Sequence, residues 1–147
     1  MAEEEKQVLE DEEDTQKDKY LTFLLGQETY GIDICVVIEI IGIQAITGVP
    51  EVPEYVRGII NLRGKIIPVV DMRLRFKNEF RAYNDRTCAV VIETGEVLIG
   101  LIVDGVSEVL DIPEGSVVPP PKLKASQNRY IRGIGKKGET GILLLDW

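Results

Sequence analysis

The chain contains no histidine, and that absence removes a large part of enzyme chemistry. Without imidazole there is no Ser-His-Asp triad, no Cys-His pair, no histidine general base and no histidine metal ligand. Cysteine is nearly as scarce. Cys35 and Cys88 lie far apart in the chain, so there is no C-x-x-C zinc half-site and no disulfide framework of the secreted type. Aromatic residues make up 6% of the sequence, too few for the stacking platforms of single-strand nucleic-acid binding. No stretch approaches the ~18 apolar residues of a membrane-spanning helix. The N-terminus is acidic rather than basic and then apolar, so it does not read as a signal peptide, and no N-x-[ST] sequon occurs. A cytoplasmic chain without direct membrane insertion is the expectation.

What is present is charge, concentrated at one end. The 147 residues carry 25 acidic against 17 basic side chains, a formal charge of −8. Residues 1–19 alone hold nine acids and three lysines, leaving the rest close to neutral. A stretch so poor in apolar residues cannot bury enough surface to offset its ordering entropy, so 1–19 reads as a disordered acidic tail. It is either a solvating leader or an acidic docking arm. Residues 20–147 form the globular part and are long enough to bury a core.

From Tyr20 onward, short Ile- and Val-rich runs are cut by glycine. Leu21–Leu25, Tyr30–Ile34, Val36–Ile43, Lys65–Val70, Cys88–Ile92, Val97–Val103, Val106–Leu110 and Gly141–Leu145 read as strands. Gly26-Gln27-Glu28 and Thr94-Gly95-Glu96 read as turns between paired strands. Helix is confined to one short turn at Pro53–Val56 and another at Met72–Phe76. Pro119-Pro120-Pro121 reads as a stiff extended connection. The fold class is all-β with one or two short helices.

The chain also repeats itself. At an offset of 69 positions Tyr30-Gly31-Ile32 falls on Ile99-Gly100-Leu101, and Val37-Ile38-Glu39 on Val106-Ser107-Glu108. At an offset of 75, Arg57-Gly58-Ile59 falls on Arg132-Gly133-Ile134, and the strand ending in Asp71 on that ending in Asp146. Two related β-subdomains are implied, with repeat halves at about 20–72 and 88–147, each small enough to need the other.

Several motifs lead to little chemistry. Gly133–Gly138 matches G-x-G-x-x-G, but its third glycine opens onto a strand rather than a helix, so it reads as a hairpin turn. Arg73-Leu74-Arg75-Phe76-Lys77 is the nearest approach to a basic patch and reads as a solvated turn; no nucleic-acid partner is expected. Cys35, between Ile34 and Val36, reads as a buried apolar thiol. Nothing brings two of Asp33, Glu39, Asp71 and Asp104 together as a catalytic pair, and no enzyme is expected.

Two features stand out. Val36–Ile43 is apolar on both strand faces, so either the sister subdomain covers both or one is left for a partner. Glu39 within that run needs a cation or donor. An ion pair to Arg57 or Arg63 and a partner-facing role are both open. Asn61-Leu62-Arg63-Gly64 makes a tight turn with Arg63 near its tip, a placement suited to solubility or to an interface anchor.

Val56-Arg57-Gly58-Ile59-Ile60-Asn61-Leu62-Arg63-Gly64-Lys65-Ile66-Ile67-Pro68-Val69-Val70-Asp71, followed by Asp104-Gly105-Val106-Ser107-Glu108-Val109, resembles the CheW family of chemotaxis coupling proteins. Tyr30–Ile34, Val37-x-Glu39-Ile40 and Tyr130–Gly135 extend the resemblance over residues 20–147. The resemblance implies two intertwined five-stranded SH3-like β-barrel subdomains and a non-catalytic adaptor with no cofactor and no metal. It implies as partners the regulatory domain of the histidine kinase CheA and the cytoplasmic tips of chemoreceptors, and a monomer when isolated. A similar scaffold serving a different histidine kinase pathway is the alternative. The positions it assigns to partner contact are Val37, Glu39, Asn61, Arg63, Val106 and Leu123. Many relatives continue beyond the Leu-Leu-Leu-Asp strand into a C-terminal helix, whereas this sequence stops at Trp147.

Overall fold

In the computed structural model, residues 17–76, 78–120 and 130–146 are described. The greater part of the expected acidic tail, residues 1–16, and the partner position Leu123 lie outside them. Lys17 and Asp18 form a turn and β1 (Lys19–Leu25) follows at once. A two-residue turn with Gly26 at a φ of +62° leads into β2 (Glu28–Asp33). Its twin, with Gly95 at +64°, joins β6 (Cys88–Thr94) to β7 (Val97–Val103). Both loops need a left-handed residue where they reverse, and glycine adopts that conformation without steric cost.

After β2, Asp33 stops the strand. Its carboxylate accepts the Cys35 N–H at 2.9 Å and opens a 3₁₀ turn, Ile34–Val36. The expected long strand Val36–Ile43 is therefore shorter, β3 (Val37–Gly42). Cys35 is exposed on that turn rather than buried. β4 (Val56–Leu62) and β5 (Lys65–Asp71) form the next hairpin, and Asp71 caps a single helical turn, α1 (Met72–Arg75), by accepting the Arg73 and Leu74 N–H groups. Pro53–Val56 is one hydrogen-bonded turn, Val56 N–H to Pro53 C=O at 3.0 Å, without helix. β8 (Gly105–Asp111), a 3₁₀ turn at Glu114–Ser116, β9 (Ile131–Lys137) and β10 (Thr140–Leu145) complete the fold. The Gly133–Gly138 motif lies in β9 and its hairpin turn.

The strands form two five-stranded sheets, ordered β8-β1-β2-β10-β9 and β3-β6-β7-β5-β4. The two orders are the same order written in the two repeats. Each sheet takes two strands from one repeat and three from the other, so the copies interlock. At the centre of each, one parallel pair crosses between repeats: β10 with β2, placing Leu144 opposite Gly31, and β5 with β7, placing Val69 opposite Gly100. A side chain on Gly100 would begin 2.9 Å from the Val69 methyl, and one on Gly31 would begin 3.1 Å from that of Leu144. The shared glycine is thus a demand of close strand packing, met twice. No ladder pairs β8 with β9 or β3 with β4 among the described residues, so each sheet curls without closing into a barrel.

Alternation along the strands splits the core into three layers. Leu21, Phe23, Tyr30 and Ile32 from one sheet meet Val90, Ile92, Leu101 and Val103 from the other in a central cluster between the sheets. Ile60, Ile67, Val69, Val91 and Ile102 fill the concave side of the second sheet, while Tyr20, Ile112, Ile142 and Leu144 fill that of the first. The inner strands are therefore buried on both faces, which is why they read as unbroken apolar runs. At roughly 1.5–3 kcal/mol for each large side chain, the central layer alone opposes separation of the two sheets strongly.

Candidate functional site

The candidate surface lies at the open edge of the second sheet. In β3 the side chains alternate, with Ile38 and Ile40 about half exposed and Val37, Glu39 and Ile41 partly covered. One face of the apolar run is thus left open rather than covered by the sister repeat. A register shift between Val37 and Glu39 against β6 turns Val37 toward Ile92 and the central cluster, while Glu39 lies opposite Val91.

Glu39 has a cation. Its carboxylate accepts a hydrogen bond from the Arg63 guanidinium, with the arginine largely exposed and the glutamate mostly covered. Of the two arginines open on sequence grounds, Arg63 is the partner; Arg57 instead lies over the Phe80 ring, 4.9 Å from its centroid. Arg63 and Gly64 form the two-residue β4–β5 loop with φ values of +50° and +85°, and the Asn61 side chain closes it by accepting the Gly64 N–H at 2.9 Å. Both central residues left-handed is a type I′ turn, in which a non-glycine residue at the first position carries strain of order 1 kcal/mol. The fold does not require that strain. In the repeat-related hairpin β9–β10 the position is Gly138, at +60°.

The second repeat carries a related pair. Glu108, at the position of Glu39, pairs with Lys137 beside the β9–β10 turn. Val106, at the position of Val37, is half-buried against the same central cluster from the opposite sheet. The structure therefore joins Glu39, Asn61 and Arg63 in one constellation and brings Val37 and Val106 onto one apolar layer.

The four acids considered for catalysis are held apart by separate partners. Glu39 pairs with Arg63, Asp33 caps a 3₁₀ turn, and Asp71 caps α1 while accepting the Tyr83 hydroxyl at 2.8 Å. Asp104 receives Arg73 Nε and Nη2 at 2.6–3.0 Å, together with the Gly26 N–H at 2.7 Å. Burial pushes the Asp104 carboxyl up, but these donors and the nearby guanidinium charges outweigh it and hold it below its ordinary value. Burial and the bond to Asp71 push the Tyr83 phenol up. Among the described residues no three acids or cysteines converge as a metal site.

Sequence reasoning missed what the described part of the basic run, residues 73–76, does. It is not a solvated turn. Arg73 is spent on Asp104, and Phe76 is buried and stacked on Tyr30 with centroids 5.3 Å apart. Arg75 lies between Tyr55 and Tyr130, 4.7 and 4.3 Å from their ring centroids, and donates to the Tyr130 hydroxyl. Those tyrosines are separated by the repeat offset of 75, the one signal in the sequence that could have paired them.

The comparisons with known proteins agree with this architecture. The model of the CheW-like domain matches residues 19–147. The chain belongs to the CheW-like family. It is 36% identical over 129 residues to the chemotaxis protein CheW of Klebsiella aerogenes, covering 87% of this chain and 78% of that protein. It is 31% identical to the CheW of Helicobacter pylori over 127 residues, 86% of this chain and 77% of the relative. The crystal structure of the scaffolding protein TtCheW from Thermoanaerobacter tengcongensis superposes with a TM-score of 0.83 at 39% identity, covering 88% of this chain and 89% of the other. A CheW-like chain of this kind is a chemotaxis coupling adaptor, and its partners are components of chemotaxis signalling. Among the described residues, no helix is long and apolar enough to cross a membrane.

Proposed function

We propose that this chain joins the regulatory domain of the histidine kinase CheA to the cytoplasmic tips of chemoreceptors. On this reading it acts in the cytoplasm, as a monomer when isolated, without cofactor or catalysis. The repeat halves, about 20–72 and 88–147, interlock and together form its docking surfaces. The observation that carries the proposal is the exposed Arg63, held left-handed at a hairpin tip and paired to Glu39 where the repeat-related turn has an unstrained glycine. An exposed arginine kept at a left-handed position supports a binding role, since the turn needs that conformation but neither the turn nor core packing calls for an arginine there. Half-buried Val37 and Val106, backed by the rigid central cluster, suit the apolar side of a receptor helix laid in a groove. Leu123 is assigned to kinase contact by family resemblance. No observation on this chain favours the alternative, a scaffold for a different kinase pathway.

The test is reconstitution of receptor, kinase and this chain. Receptor-dependent kinase phosphorylation is expected to rise several-fold when the chain is added. No rise, with all three components folded, overturns the proposal.

A further inference from the structure

A second surface, separate from the Glu39–Arg63 edge, lies beside the β1–β2 turn. It is a pocket of about 490 Å³ bordered by Leu24, Gly105 and Val106, with Arg81 and Arg86 at its rim and Asp104 in its wall. The charges do not balance. Asp104 is fully engaged by Arg73 and the Gly26 N–H, and Arg81, with its side chain 59% exposed, comes no nearer to it than 3.8 Å. Arg86 is exposed and makes no ion pair among the described residues; its own N–H donates to the Asn84 side chain. Beyond the Arg73–Asp104 pair the pocket thus carries two exposed guanidinium groups, Arg81 at the outer limit of ion-pair distance from Asp104 and Arg86 without an acid partner among the described residues, on a body that is otherwise slightly acidic.

The remaining anions are on the same chain. Residues 1–16 hold eight carboxylates and a single lysine. They join the body at β1, near whose far end Leu24 and the following Gly26 border the pocket. At ~3.3 Å per residue, β1 spans roughly 20 Å, while sixteen extended residues reach about 50 Å. Glu3–Glu5 and Glu10 can therefore double back to the pocket. A short tether supplies an effective concentration on the order of millimolar, so docking rests on several arginine–carboxylate contacts acting together rather than on any one of them.

We infer that the acidic segment 1–16 docks its carboxylates in the Arg81–Arg86 pocket of its own chain. The contact is electrostatic and screened by salt.

The test uses the full chain and no partner. Amide spectra of the native chain are compared with those of a full-length variant in which Glu3, Glu4, Glu5, Glu10, Asp11, Glu12, Glu13 and Asp14 become Gln or Asn. The Gly26, Arg86, Gly105 and Val106 amides are expected to differ between the two at about 25 mM salt, and the differences to fall by about threefold or more at about 300 mM. Arg81→Glu with Arg86→Glu is expected to remove them, while spectra elsewhere show the fold intact. Identical pocket amides in the two chains, or differences that survive the double arginine substitution, overturn the inference. If an added acidic peptide shifts these amides but the leader does not, the pocket serves a partner's carboxylate and the inference also fails.

Discussion

Arg63, at the left-handed tip of the β4–β5 hairpin, is ion-paired to Glu39 on β3, 24 positions earlier, across the open edge of the sheet. An exposed pair of this kind contributes about 0–1 kcal/mol, less than an interface anchor and comparable to the strain of the turn that holds it. Stability and binding should therefore separate here. Arg63→Gly relieves the left-handed strain and loses the pair, so its melting temperature is expected to stay within a few degrees of native. Capture of kinase or receptor in pull-downs is expected to fall about tenfold. Arg63→Glu, which sets a second carboxylate beside Glu39, should weaken capture further with the fold intact. Unchanged capture by both variants would reduce Arg63 to a surface turn residue.

Gly58 and Gly133 occupy equivalent positions in the two repeats, each against the connection that crosses its sheet edge through an isolated bridge, Thr47 to Ile59 and Val118 to Ile134. A side chain on Gly58, at a φ of +143°, would overlap the Thr47 carbonyl. On Gly133 it would meet the Val117 methyl at 2.5 Å and the Val118 carbonyl at 2.9 Å. Gly58→Ala combines backbone strain with a backbone clash and is expected to cost about 3 kcal/mol or more. Gly133→Ala, relieved partly by rotation of Val117, is expected to cost less. Urea denaturation of the two variants checks the order.

Arg75 ties together residues that precede β4 in one sheet and β9 in the other. The Tyr55 carbonyl accepts the Asp71 N–H at 2.7 Å, and the Tyr130 carbonyl accepts the Asp146 N–H at 2.8 Å. Arg75→Ala removes two cation–π contacts and a hydrogen bond, and a loss of about 1–3 kcal/mol is expected. Arg75→Lys should recover only part of it, because an ammonium lacks the flat faces that stack on two rings. A single unfolding transition at a lower midpoint is the expected readout.

Asp104 predicts a pH dependence. Its folded carboxyl titrates below its unfolded value, so the stabilisation it brings is complete above the unfolded value, about 3.9, and is lost as pH falls through the folded one. Asp104→Asn is therefore expected to cost about 2 kcal/mol near neutrality. The gap from native should close as pH drops below about 4. Midpoints measured at several pH values decide it; a gap independent of pH would assign the cost to packing.

The repeat was legible because the features that recur answer the same packing demand in each copy. Gly31 and Gly100 allow a parallel neighbour to approach, and Gly58 and Gly133 allow a crossing backbone. The two turns at Gly26 and Gly95 were legible because a left-handed residue leaves a local mark. β4 and β9 went unread as strands, since Arg57-Gly58 and Gly133-x-Gly135 break the apolar alternation and the strands are specified by their partners β5 and β10. Cys35 was misjudged because the Asp33 cap, a polar contact, lifts Ile34–Val36 off the sheet.

By itself the sequence determined the class of the protein. Composition ruled out histidine-dependent chemistry, alternation and turn chemistry specified a small-stranded β fold, and the duplicated pattern implied two related halves. Those are local or statistical properties of the chain. Only the tertiary structure decided which strands exchange between the halves, that Glu39 meets Arg63 rather than Arg57, that Arg73 and Arg75 turn inward to Asp104, Tyr55 and Tyr130, and that Arg81 and Arg86 stand exposed beside one pocket. The reason is physical. An ion pair or a stacked guanidinium depends on the separation of groups tens of residues apart, and that separation exists only once both sheets are packed.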